Sequence, residues 1–177
     1  MKPEILDEKP HRILIVDDEV RVVNAIRRVF SASSFIRVEV ATHPDEALSI
    51  VQKFADLRLV ISDYLMPEMD GLEFLSEVSC VKPEIIRMIL TGHADLETTL
   101  RAINEVGVYK FIIKPWNNHD LYWTVIRALE LEEARRENRE LKKKLKEQAQ
   151  LVERIEALYP GISRIDRDQD GAIILYE

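Results

Sequence analysis

The sequence predicts an α/β fold wound on a parallel sheet, and three observations carry that prediction. From Arg12 onward, short apolar runs alternate with longer stretches of helical periodicity, the pattern of repeated strand–helix units. Four of the apolar runs end on chemically active residues: Ile13–Val16 on Asp17 and Asp18, Leu59–Ser62 on Asp63, Ile85–Leu90 on Thr91, and Phe111–Ile113 on Lys114. Finally, 177 residues with 46% hydrophobic side chains suffice for one ordinary domain and an appendage.

Taken in order, residues 1–10 are polar with two prolines and are expected to form a disordered leader. Ile13–Val16 is the first strand, and Val22, Ile26, Val29 and Phe30 mark the inner face of the first helix. Ile36–Val40 is the second strand; Ala47, Val51, Phe54 and Ala55 mark the second helix. Leu59–Ser62 is the third strand, and the chain must turn after Asp63 because Pro67 and Gly71 follow. Leu72, Leu75 and Val78 form the buried side of a third helix, Ile85–Leu90 the fourth strand, Leu96, Leu100 and Ile103 the fourth helix face, and Tyr109–Ile113 the fifth strand. A fifth helix opens at Asn117. Five strands and five helices fit the flavodoxin-like order 2-1-3-4-5, which binds ligands at the switch point between strands 1 and 3 and so gathers Asp17, Asp18 and Asp63 there.

An aspartate at a strand end is, taken alone, an ordinary turn former or helix cap. Three carboxylates on one edge are different: they repel one another and need a hard cation, and Mg²⁺, which accepts oxygen ligands and keeps several waters, suits them. The Thr91 hydroxyl and Lys114 ammonium suit an anion. A carboxylate nucleophile, a Mg²⁺ site, a hydroxyl donor and a lysine together specify phosphoryl transfer to Asp63, giving an acyl phosphate.

At these residues the chain resembles the response-regulator receiver domains of bacterial two-component signalling. The resemblance spans about residues 10 to 130 and rests on the acidic pair, on Asp63 with Met66-Pro67 and Asp70-Gly71 behind it, on Thr91-Gly92-His93, and on Lys114-Pro115. It implies that Asp63 is the phosphoacceptor, Asp18 a direct Mg²⁺ ligand, Asp17 a ligand through water, and the Leu65 carbonyl a third protein ligand. It also makes Thr91 the switch hydroxyl and Lys114 the counter-ion of the phosphate. The family's aromatic switch position falls on Phe111, whose lack of a hydroxyl leaves packing as its means of switching. The implied partner is a sensor histidine kinase or phosphotransfer protein.

Other classes are disfavoured. A net charge of -7 and a sequence pI near 5.3 argue against nucleic acid bound on a basic face. A single cysteine, Cys80, excludes an internal disulfide and is consistent with a reducing cytoplasm. With no apolar run of membrane length and no signal peptide, a cytoplasmic chain off the membrane is expected. His11, His43, His93 and His119 lack metal-ligand spacing and are read as surface or turn residues, although His93 would overlook the phosphorylation site. Leu65, two residues after Asp63, is apolar where the family often has a polar residue. Trp116 and Trp123 are read as packing residues.

Beyond Glu130 the helical pattern turns heavily charged and continues to Pro160-Gly161. The expected layout is therefore a receiver over 11–130, a coiled-coil helix over 131–159 and a short tail over 160–177. Counting in sevens places Leu131, Asn138, Leu145 and Val152 at a, and Ala134, Leu141, Gln148 and Ile155 at d. With Glu130 and Glu137 at g facing Arg135 and Lys142 at e of a partner, the pattern predicts a parallel homodimer. The alternative is a single solvated helix held by charge pairs three and four apart. The tail reads as a β-hairpin turned at Gln169–Gly171. Asp166, Asp168, Asp170, Gly171 and Glu177 also match a calcium-loop pattern, but Pro160-Gly161 removes the entering helix that such a loop needs.

The expected function is a phosphorylation-activated regulator signalling through dimerisation and protein–protein contact, with no recognisable DNA-binding or enzymatic module in this stretch. Two alternatives remain: an Asp-nucleophile phosphatase, weakened because Leu65 stands where such enzymes place a second acid, and a receiver subunit for an effector on a separate chain.

Overall fold

The computed structural model describes residues 10–92 and 106–160. The expected leader, His93, the fourth helix face (Leu96, Leu100, Ile103) and the hairpin or calcium-loop tail lie outside the described residues. Within them, β1 (His11–Val16), β2 (Ile36–Ala41), β3 (Leu57–Asp63), β4 (Ile86–Thr91) and β5 (Lys110–Ile113) form one sheet in the order β2-β1-β3-β4-β5. Every neighbouring pair is parallel. The helices are α1 (Val20–Phe30), α2 (Pro44–Lys53), α3 (Gly71–Val81) and a long C-terminal helix (Asn118–Leu158). This is the doubly wound, flavodoxin-like arrangement.

Strand alternation explains why both faces of the sheet are covered. Ile13, Ile15, Leu59, Ile61, Met88 and Leu90 point to one side, where they meet Ile26 and Phe30 of α1 and Leu121, Val125 and Leu129 of the C-terminal helix. Leu14, Val16, Val60 and Ile89 point to the other, against Ala47 and Val51 of α2 and Leu72, Leu75 and Val78 of α3. The predicted α1 face holds with one shift of emphasis: Val23, Ile26 and Phe30 are fully inside, while Val22 and Val29 are partly buried.

Two further differences have local causes. The expected second helix includes Phe54 and Ala55, yet α2 ends at Lys53 because Phe54 turns to extended backbone, where its ring lies 3.9 Å from the Arg12 guanidinium. His11, expected at the surface, opens β1 and is buried, its backbone N–H donating to the Phe35 carbonyl.

The chain divides into two compact units, Met1–Ala134 and Arg135–Glu177. The first unit holds the sheet and the start of the C-terminal helix. In the second, Leu141, Leu145, Leu151 and Val152 are exposed along their helix. No helix among the described residues is long and apolar enough to cross a membrane.

Candidate functional site

Register decides where the chemistry gathers. Val16 pairs with Ala41 and Ser62, Asp63 with Leu90, and Thr91 with Ile113, so β1, β3, β4 and β5 end nearly abreast. Asp17, Asp63, Thr91 and Lys114 therefore meet at the carboxyl edge, as their positions in sequence predicted. A cleft of about 340 Å³ opens there, lined by Asp18, Glu19, Asp63, Tyr64, Leu65, Thr91, Gly92 and Lys114. Asp63 and Thr91 lie inside their strands rather than just beyond them, and both are nearly covered.

Lys114 organises the site. Its Nζ donates to Asp63 Oδ1 at 2.6 Å and to Asp17 Oδ2 at 2.9 Å, and its backbone N–H donates to the Thr91 carbonyl. The other Asp63 oxygen accepts the Leu65 N–H at 3.2 Å, and the other Asp17 oxygen accepts the Glu19 N–H at 2.9 Å. Burial pushes the Asp17 carboxyl above the usual carboxylate range, against the opposing pull of Lys114 and the Glu19 N–H; the Asp63 charge adds to the rise. For Lys114, burial alone would depress the ammonium, but hydrogen bonds and charge from Asp17 and Asp63 outweigh it and raise the pKa. Asp18 is exposed at the cleft wall.

Among the described residues no three His, Cys, Asp or Glu side chains already stand gathered around a metal position. The donor set nevertheless fits Mg²⁺, because that ion needs few protein ligands beside its waters and substrate oxygens. Asp17 and Asp63 share a single ammonium, and Asp18 adds a third carboxylate, so the edge keeps more negative than positive charge.

The loop behind Asp63 is held from α3. Asp70 caps that helix, accepting from Leu72 N and Glu73 N, while Glu73 returns a carboxylate to the Asp70 N–H. Gly71 N–H donates to the Tyr64 carbonyl at 2.8 Å, and a Cβ on Gly71 would fall 2.0 Å from the Asp63 carbonyl oxygen. Sequence reading took Gly71, with Pro67, as a turn residue and Asp70 only as part of the family motif; the glycine is required by this close approach. Phe111 is half-buried beside the core on the α2 and α3 side of the sheet. Leu65 projects its side chain outward, 72% exposed, while its backbone faces Asp63. Trp116 packs on the core, whereas Trp123 is more open than a packing residue and donates its indole N–H to His119.

Sequence reading missed Arg87. It is the second residue of β4, at the amino end of the strand, with its guanidinium buried and donating to the carbonyls of Val106, Pro83 and Ile85. Burial lowers its pKa, with Glu84 opposing. A lone charge inside an apolar strand was the available signal.

The model of the response regulator receiver domain matches residues 13–126. The chain is 35% identical over 125 residues to the hydrogenase transcriptional regulatory protein HoxA of Cupriavidus necator, covering 71% of this chain and 25% of that protein. It is 34% identical over 141 residues to a putative response regulator, NtrX-like, of Rickettsia bellii, covering 79% and 29%. This chain thus spans roughly a quarter to a third of these relatives. The signal receiver domain of an HD domain-containing protein from Pseudomonas fluorescens Pf-5 superposes with a TM-score of 0.68 at 28% identity, covering 75% of this chain and 96% of that one. Topology, strand-end chemistry and a family match over more than half of its length agree: this chain belongs to the response regulator receiver domain family.

Proposed function

We propose that the chain is a receiver that accepts a phosphoryl group on Asp63 from a sensor histidine kinase or phosphotransfer protein in the cytoplasm. It passes the signal on by protein–protein contact, including self-association through its C-terminal helix. The observation that carries this reading is Asp63 itself: its carboxylate is nearly buried, one oxygen held by Lys114 and the other by the Leu65 N–H, at the wall of an open cleft. An Asp63 oxygen bonds to phosphorus while the donor's bond to phosphorus breaks and the donor leaves with the electron pair. Lys114 holds the charge that accumulates on the phosphoryl oxygens, and Thr91, at the same edge, offers them its hydroxyl.

Asp18, Asp63, the Leu65 carbonyl and, through water, Asp17 are the groups suited to hold Mg²⁺, which would neutralise the gathered carboxylates and the transferring group. Phosphate at Asp63 draws the Thr91 hydroxyl inward and Phe111 moves into the space it leaves, so the change reaches β5 and the helix that follows it. Continued turnover as a phosphatase lacks its second acid, since Leu65 occupies that position with an exposed apolar side chain.

Intact-mass measurement with Mg²⁺ and a small acyl-phosphate donor tests the assignment. Wild type gains one phosphoryl mass and Asp63→Asn gains none, because an amide cannot form the acyl phosphate. An equal gain in the substituted protein overturns it.

A further inference from the structure

We infer that the C-terminal helix carries a self-association seam for a second copy of this chain, and that this seam is available whatever the phosphorylation state of Asp63. The phosphorylation half of this inference rests on the proposed receiver function; the seam itself does not.

The reasoning is one of register. In the first turns of the helix the buried residues are Leu121, Val125, Ile126, Ala128, Leu129, Glu132 and Glu133. On the count that places Leu131 at a and Ala134 at d, these fall at e, b, c, e, f, b and c. None falls at a or d, so no side chain has to serve both the receiver core and the seam. Further along, the apolar a and d residues Leu141, Leu145, Val152 and Ile155 are 59%, 64%, 54% and 37% exposed. Apolar side chains repeating at this spacing on a helix are covered when a second helix supplies the matching stripe.

Charge selects the occupant. In a parallel pair Glu130 and Glu137 at g face Arg135 and Lys142 at e of the second copy, five residues on, and Asn138 at a meets its twin, the one arrangement in which each amide satisfies the other. Counting back from Leu131 reaches Arg127 at d, Thr124 at a and Asp120 at d. Arg127 and Asp120 are exposed, and in a parallel pair each would oppose its own like charge. The seam therefore begins at Leu131 and the receivers are not zipped together by it. A rearrangement at the phosphorylated cleft is not needed to expose the seam, because Leu141, Leu145, Val152 and Ile155 are already open and only Leu131, at its start, is half-buried.

The test uses the full chain. Light scattering is run on untreated protein, on protein treated with an acyl-phosphate donor and Mg²⁺, and on Asp63→Asn. In parallel, Leu145→Cys in a Cys80→Ser background is oxidised mildly with and without the donor, since in-register thiols lie within disulfide reach. The expected result is twice the chain mass of 20.6 kDa in all three samples and the same cross-linked fraction in both. Leu141→Lys with Leu145→Lys should halve the mass while phosphorylation of Asp63 persists, which also shows the receiver still folded. A monomer mass in the wild type, as would follow if residues 161–177 of the same chain cover the stripe, overturns the inference, as does a dimer seen only after donor treatment. If the donor adds no phosphoryl group to a wild type that is dimeric, the proposed receiver chemistry fails and the seam stands.

Discussion

The two edges of the sheet are built from the same strands and handle charge in opposite ways. At the amino edge three arginines, Arg12, Arg58 and Arg87, are matched within the chain. Arg12 bridges Glu39 of β2 and Asp56 before β3 and lies over the Phe54 ring; Arg58 pairs with the buried Glu132 of the C-terminal helix; Arg87 donates to three carbonyls. At the carboxyl edge the charges are aspartates, and a single ammonium, Lys114, serves both Asp17 and Asp63 while Asp18 faces the cleft. A buried charge is tolerated when it is paired and hydrogen-bonded, as on the amino edge. An edge left with surplus charge around an open cleft is suited to be completed from outside, in the function proposed above by a cation and a phosphoryl group. Charge serves packing at one end of the strands and chemistry at the other, and substitutions of charged residues at the two ends should separate accordingly.

The largest effect is expected where the carboxyl edge is held from behind. Gly71→Ala places a Cβ 2.0 Å from the Asp63 carbonyl oxygen, a backbone atom that cannot swing aside, so either α3 or the end of β3 must move. Overpacking of this kind costs at or above ~3 kcal/mol, the upper end of its usual range. Denaturant unfolding should show that loss, and intact-mass measurement should show slowed phosphorylation of Asp63 in the fraction that remains folded. Unchanged stability together with an unchanged rate would mean that the close approach imposes no constraint.

At the amino edge stability should fall as well, but the chemistry should persist. Arg87→Met keeps the apolar stem but removes the donors to the Val106, Pro83 and Ile85 carbonyls, at a cost of about 1–3 kcal/mol for acceptors left without their donor. Gly107, at φ +66, lies close enough that its Cβ position is 3.2 Å from the same guanidinium, so the loop entering β5 should loosen as well. The folded variant should still take up phosphate at Asp63. A selective loss of phosphorylation without loss of stability would undo the division between the edges.

This division also explains what was legible in the sequence. Asp17, Asp18, Asp63, Thr91 and Lys114 announce themselves because each ends an apolar run, and a parallel sheet turns the ends of separate runs into neighbours. The strand order follows from the same alternation. Arg87 shows in the sequence only as a charge inside an apolar run, and Glu132 not at all, since their burial depends on carbonyls and a partner supplied by other segments: Val106 lies 19 residues from Arg87, and Arg58, which pairs with Glu132, is on β3. Gly71 read as a turn residue because its spatial neighbour, the Asp63 carbonyl, is visible only once α3 has folded back on the strand.

The smallest effect expected is a titration shift, and it examines the balance within the carboxyl edge. In the folded protein burial raises the Asp17 carboxyl, Lys114 and the Glu19 N–H pull it down, and the Asp63 charge raises it again. A carboxyl whose folded pKa lies above its unfolded one binds its proton more tightly in the native state, so this group costs stability as pH rises from the ordinary carboxylate range through the folded pKa, and costs nothing below that range. Lys114 acts in the other direction: its raised pKa contributes stability that is complete below the ordinary lysine range and is lost as pH climbs through the folded value. Replacing it in Lys114→Met removes the hydrogen bond and the positive charge from beside Asp17 and leaves burial and Asp63 unopposed except by the Glu19 N–H. The Asp17 midpoint, read from the carboxyl carbon resonance, should therefore move to higher pH than in wild type. Stability of the variant should decline more steeply between acid and neutral pH, and the alkaline loss that Lys114 gives the wild type should disappear. A midpoint that stays put or moves down would show that Lys114 does not govern Asp17, and the charge surplus assigned to this edge would have to be counted again without their pairing.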